Sequence, residues 1–147
     1  MATRPAAPAL MSERPVRVRD ARVLLDTHVF LWAITSDPRL SPVHRRIYLD
    51  GTRELWLSVA SVWEVLIKSG LGKLSMPRPT AAYIMKQMER NRVTLLPIRA
   101  SHLASLETLP PLHRDPFDRM LVAQANAEGL AILSDDATLR KYPVTVL

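Results

Sequence analysis

Val23-Leu24-Leu25-Asp26-Thr27-His28 is the stretch on which the fold turns. Three aliphatic residues without alternation describe a strand buried on both faces, the kind that lies inside a parallel sheet. That strand delivers one carboxylate, Asp26, at its carboxyl end. In open α/β sheets ligands bind in the crevice beyond those ends, which makes Asp26 a candidate site residue. Capping of a helix starting just after it is the competing role, and the residue alone favours neither.

Outward from this strand the chain repeats a strand-then-helix pattern. Residues 27–34 have helix-length apolar character and are stopped by Ser36-Asp37-Pro38. A short polar helix is expected from Ser41, with Pro42 at its first position, to Leu49. Residues 54–58 form a second strand, and residues 59–70 a helix that places Val62, Val65, Leu66 and Ser69 at helical intervals. A loop over 73–79 is followed by an amphipathic helix over 80–90, a strand over 93–96 and a helix over 100–109. A long helix over 117–128, a strand over 130–133, a helical turn over 137–141 and an edge strand over 144–147 complete the chain. Strands alternating with helices specify an α/β fold: a central, mostly parallel sheet of about five strands with helices on both faces. Only four glycines are present, which leaves little room for a glycine-rich phosphate loop, and none is seen.

The 147 residues, 48% of them hydrophobic, are enough for one domain with a real core. Residues 1–21 mix Pro, Ala and Arg without periodicity and are expected to form a flexible basic extension; residues 22–147 are the folded domain. Met11 offers a second start site. With no cysteine, a metal here must be held by oxygen or imidazole, so a hard cation is the natural guest. No apolar run reaches the roughly 18–20 residues that cross a bilayer, and the first residues lack a signal peptide's apolar core, so a cytoplasmic protein is expected. The net charge is +6. An acidic pocket set in such a basic surface suits a polyanion held near a metal ion, although charge alone favours nucleic acid only weakly.

Four acids fall at the carboxyl end of a strand or the opening of a helix: Asp26, Glu64, Asp115 and Asp136. Each has an ordinary structural role open to it. Glu64 could close a capping box with Ser61, unless Ser58 is the cap, in which case it lies nearly two turns into its helix. Asp115-Pro116-Phe117-Asp118 is a good helix start, and Ser134-Asp135-Asp136 a turn with a cap. Together, however, the four would line one rim of one sheet, where like charges destabilise the fold unless a cation sits among them. Mg²⁺ or Mn²⁺ takes oxygen ligands and neutralises charge in phosphodiester hydrolysis. A phosphatase would need an acid two residues after Asp26, where His28 stands; a phosphoacceptor receiver would need a lysine after Leu133, where Ser134 stands. A glycosidase pair would not explain four acids.

Leu24-Leu25-Asp26-Thr27-His28, Ser58-x-x-Ser61-x-Trp63-Glu64, Lys68 with Gly72-Lys73-Leu74, His113-Arg114-Asp115-Pro116-Phe117-Asp118-Arg119-Met120-Leu121, and Ser134-x-Asp136 with Tyr142 follow in order. In order and spacing this series resembles the PIN-domain ribonucleases of the VapC toxin type, over about residues 22–147. The resemblance implies a PIN fold, Mg²⁺-dependent endonucleolytic cleavage of RNA, and neutralisation by a small cognate antitoxin. By position it implies a catalytic quartet of Asp26, Glu64, Asp115 and Asp136, with Asp26 and Asp115 as direct metal ligands. Asp118 would support the site or orient Arg119. Where the family often has Thr-x-Asp, Ser134-Asp135-Asp136 keeps a hydroxyl and adds Asp135 as a second acid. Thr27 and Ser61 are assigned either to hydrogen-bonding the carboxylates or scissile phosphate or to helix capping, with equal weight. Arg114 and Arg119 would hold phosphate or offset the acids; His28 and His113 are weighted toward structural roles, and the three tryptophans toward core or dimer contacts. Apolar groups on the helices before residue 90 make a homodimer and an antitoxin groove reasonable. The alternatives are an RNA-processing PIN nuclease without an antitoxin, and an inactive PIN module that binds RNA or protein.

Overall fold

The computed structural model describes residues 3–6 and 21–147. In chain order the elements are β1 (Arg22–Leu25), α1 (Thr27–Ile34), α2 (Pro42–Leu49), β2 (Glu54–Ser58), α3 (Val59–Gly70), α4 (Thr80–Arg90), β3 (Val93–Leu96), α5 (Ala100–Glu107), α6 (Pro116–Glu128), β4 (Ala131–Leu133) and a 3₁₀ turn (Ala137–Lys141). The strands form one sheet in the order β3-β2-β1-β4, and every pair is parallel.

The apolar run 23–25 sits inside this sheet because it has two faces to bury. Val23 and Leu25 pack with Phe30, Ile34, Tyr48 and Ile84 on the side of α1 to α4. Leu24 points the other way and packs with Leu121, Val122, Ile132 and Leu139. The side chains of Val23, Leu24 and Leu25 are all fully buried. Truncating Leu24 to Ala would therefore cost about 2–5 kcal/mol. On this second face α5 is tied to α6 by a 2.8 Å contact between His102 and Glu128.

Local chemistry starts and stops the helices. Ser41 accepts from the His44 amide at 3.1 Å with Pro42 at the first helical position, and Ser58 accepts from Ala60 at 3.0 Å. Gly129 ends α6 with φ +67°, a conformation L side chains rarely adopt.

The expected fifth strand is reduced to a single parallel bridge between Ile132 and Val146. β4 has only three residues, and its flanking positions pair with β1, so Ile132 alone offers its backbone outward. It does so twice, to Thr145 O and from the Leu147 amide, both at 2.8 Å. The expected extension over 1–21 falls largely outside the described residues. Of it residues 3–6 and 21 are described, and residues 3–6 lie against the fold with Arg4 buried. Among the described residues no helix is long and apolar enough to cross a membrane.

Candidate active site

The carboxyl ends of β1 and β4 open onto a cavity of about 460 Å³ whose wall includes Asp26, Glu64, Asp115, Asp118, Asp135 and Asp136. Residues spread over 110 positions of the chain meet there because parallel strands put all their carboxyl ends on one rim.

Asp26 follows the last rung of β1, its amide donating to Leu133 O at 3.0 Å. It stands at the N-cap position of α1 but makes no side-chain capping bond. Its carboxylate instead accepts from the Ser134 hydroxyl at 2.6 Å. Burial raises its pKa, and the Ser134 hydrogen bond opposes the rise.

Glu64 also caps nothing, since Ser58 is the N-cap of α3. It is buried, with Oε1 accepting from the Thr27 hydroxyl at 2.8 Å and Oε2 from Lys68 Nζ at 2.7 Å. Thr27 in turn shares a 2.9 Å hydrogen bond with Ser61. Thr27 and Ser61, for which capping was an equal alternative, thus form a hydroxyl pair that orients Glu64.

Asp115 and Asp136 do cap. Asp115 Oδ1 accepts from the Phe117 and Asp118 amides at 2.8 and 3.4 Å, and Asp136 Oδ1 from the Thr138 amide at 2.9 Å. Each keeps a second oxygen, and both residues line the cavity. Capping and site duty coexist because a helix start presents its N-cap side chain at the strand rim. For Asp136, burial pulls the pKa up, but the Thr138 amide and His113 outweigh it, and the value ends below the ordinary one.

His113 joins this cluster to Asp118. Its Nε2 lies 3.1 Å from both Asp118 Oδ2 and Asp136 Oδ2. The Asp115 amide donates to Nδ1 at 3.1 Å, so the ring proton sits on Nε2, facing the two carboxylates. Burial first, then the charges of Asp26 and Asp115, push the Asp118 pKa up to about 7.

Among the described residues, ligand atoms of His113, Asp118 and Asp136 lie within 4.8 Å of one another. With its proton on Nε2 the imidazole has no lone pair to give there, so the carboxylates are the donors and His113 holds two of them in place. Crowded oxygen donors, one of them driven toward neutrality by its neighbours, fit a hard divalent cation.

Other expected residues are placed differently. Arg119 does not pair with Asp118; its guanidinium donates to Pro110 O at 2.9 Å and to the Tyr142 hydroxyl at 3.4 Å. Consecutive helix positions point about 100° apart, so the two side chains leave α6 on different sides. Arg114 is exposed, and Asp135 is exposed at the cavity mouth. His28 is exposed too, with its ring tilted against Trp32. Ser134, Lys68 and His113 emerge as site-shaping residues, and only their place in the motifs marked them beforehand. A second cavity of about 580 Å³ shares His28, Trp32, Arg39 and Lys68 with the first and adds Asp37, which pairs with Arg39 at 2.8 Å, Lys73 and apolar residues such as Leu31, Leu74 and Met76, extending the acidic site into a mixed groove.

Comparison with known proteins agrees with this layout. The PIN domain model matches residues 23–144. Ribonuclease VapC16 of Mycobacterium tuberculosis is 38% identical over 60 residues, which cover 41% of this chain and 43% of that protein. Ribonuclease VapC22 of the same organism is 28% identical over 129 residues, covering 84% of this chain and 97% of that protein. The matched stretch thus spans less than half of the first relative and nearly all of the second. VapBC2 from Rickettsia felis, solved bound to a DNA fragment from its promoter, superposes with a TM-score of 0.64 at 13% identity, covering 86% of this chain and 97% of that one. DNA-bound VapBC from Salmonella typhimurium gives 0.63 at 17% identity, with 86% and 96% covered. At such identities the likeness is one of fold. The family match, however, runs from the β1 residues that deliver Asp26 to beyond the turn that holds Asp136, and with it the chain belongs to the PIN domain family.

Proposed function

We propose that this protein is the toxic component of a type II toxin–antitoxin system, a Mg²⁺-dependent endoribonuclease of the VapC kind. The observation that carries the reading is the convergence of Asp26, Glu64, Asp115 and Asp136, with Asp118, on one cavity. The VapC names of the two relatives support the choice of RNA as substrate. Asp26, Asp115 and Asp136 line that cavity and would hold the ion, Asp26 and Asp115 as first ligands. When bound, the ion supplies water activation and charge neutralisation for phosphodiester hydrolysis.

The chain's own residues do the rest. Ser134 fixes the Asp26 carboxylate, and the Thr27–Ser61 pair and Lys68 fix Glu64. His113 keeps Asp118 and Asp136 together when their charges would part them. In the adjoining groove Arg39 is paired with Asp37 and Lys68 with Glu64, which leaves Lys73 as the lining cation that would hold a phosphodiester chain beside the acids.

A small cognate antitoxin and a second copy of the chain are the protein partners of this reading. Trp63 (57% exposed), Ile67 and Leu71 (64%) lie four residues apart along α3 and its end, an apolar stripe suited to such contacts. The place of action is the cytoplasm, where the RNA is.

The experiment is cleavage of total cellular RNA by purified protein with Mg²⁺, with EDTA, and by the Asp26→Asn and Asp115→Asn variants. Cleavage that needs Mg²⁺ and both carboxylates is expected; equal cleavage in EDTA would overturn the reading. Co-expression with the small reading frame beside the gene should relieve growth arrest, and no relief by any neighbour would favour an RNA-processing nuclease.

A further inference from the structure

Arg4 lies in a segment that by composition should have nothing to bury, yet it is 4% exposed. All five N–H donors of its guanidinium are used, each on a different backbone carbonyl. Nε donates to Tyr48 O at 2.6 Å. Nη1 donates to Asn91 O and Arg92 O at 3.1 and 3.2 Å, and Nη2 to Asp50 O and Arg53 O at 3.0 and 2.9 Å. The Arg4 amide adds a bond to Asn91 Oδ1 at 3.3 Å, and the guanidinium carbon stands 5.8 Å from the centre of the Tyr48 ring.

The carbonyls come from two helix ends and one strand entry. Tyr48 and Asp50 close α2, Asn91 and Arg92 follow α4, and Arg53 precedes β2. Helix carboxyl ends carry unpaired carbonyls and the negative pole of the dipole, so a planar cation with five donors complements them in charge and in number. Two further features fit the arrangement. Arg92 takes φ +55°, and its carbonyl is one of the five acceptors. Gly51 leaves room for the segment: a Cβ there would stand 2.8 Å from Ala6 O, closer than real Cβ atoms approach.

We propose that these carbonyls form a receptor for an arginine-bearing extended segment, filled by the chain's own residues 3–6, which clasp α2 to α4. The receptor lies at the amino ends of β2 and β3, opposite the acidic rim, and the inference does not rest on the nuclease reading. Chains starting at Met11 would fold with the receptor empty.

The test is a thermal-unfolding cycle on the full chain: wild type, Arg4→Ala, Gly51→Ala and the double variant, with Arg4→Lys and a chain starting at Met11 alongside. Arg4→Ala should lower Tm by roughly 5–10 °C, as losing a group of charged hydrogen bonds in a domain of this size does. Arg4→Lys should recover little, since an ammonium has three donors at one point. The chain starting at Met11 should match Arg4→Ala. Gly51→Ala should lower Tm while Arg4 is present and have almost no effect once Arg4 is gone, because the Pro5–Ala6 backbone that the added methyl meets is then no longer held against Gly51. Arg4→Ala within about 1 °C of wild type would overturn the proposal. So would Gly51→Ala costing the same in both backgrounds, or, should Arg4→Ala fail to fold, Arg4→Lys keeping the wild-type Tm.

Discussion

At the amino end of the sheet a buried cation meets five carbonyls and has no donor left over; at the carboxyl end six acids line one cavity, and Lys68 and His113 make the close contacts that offset them. Both ends bury charge, but only one is complete by itself. A satisfied buried charge contributes to the fold, whereas like charges left facing one another are tolerated where a ligand supplies the opposite sign. The Asp118 carboxyl, driven up to about 7, is where that incompleteness is most visible.

The contrast breaks most sharply if neutralising the acidic end harms folding. Asp26→Asn should cut Mg²⁺-dependent RNA cleavage by about a thousandfold or more while Tm holds or rises, because burial already disfavours the charged form. Cleavage kinetics and thermal unfolding of the same preparation check this, and a large loss of Tm would refute it.

His113→Ala should come next. Without the ring, Asp118 and Asp136 are no longer held on a common N–H, and the Mg²⁺ concentration for half-maximal cleavage should rise about 10- to 100-fold. An unchanged Mg²⁺ requirement would make His113 a bystander. Ser134→Ala removes a single 2.6 Å hydrogen bond to Asp26 and should reduce cleavage about tenfold, with Asp26 mobile in its pocket.

The smallest effect is one of pH. Asp118 titrates near 7 in the folded chain, against 3.8 for the ordinary carboxyl. Between those values the folded state holds the extra proton, so its contribution to stability is lost as pH rises from about 4 to 7. Metal-free protein should therefore lose a few degrees of Tm over this range relative to protein in saturating Mg²⁺, which favours the charged carboxylate. Parallel Tm–pH curves with and without Mg²⁺ would contradict the account.

What could be read beforehand is a matter of range along the chain. Asp115-Pro116 announces a helix start whatever surrounds it, and the buried strand 23–25 announces a sheet interior. The roles of Glu64 and Asp26 are harder to see. For Glu64 the local pattern leaves two starts of the helix open, a capping box with Ser61 or a cap at Ser58, and the fold takes the second. Ser134 finds Asp26 across 108 positions, and no local pattern encodes that pairing. Arg119 shows the limit from the other side, since the motif brings it next to Asp118 in sequence while the helix turns it toward Tyr142.

The amino-acid sequence by itself determined the strand-and-helix order, the parallel sheet, and the four acids at strand ends and helix starts, because periodicity and capping act within a few residues. Only the tertiary structure decided that His113 stands between Asp118 and Asp136, that Thr27 orients Glu64, and that Arg4 is buried rather than solvated. Those outcomes depend on which polar groups long-range packing brings within hydrogen-bonding reach, and the geometry of burial alone settles that.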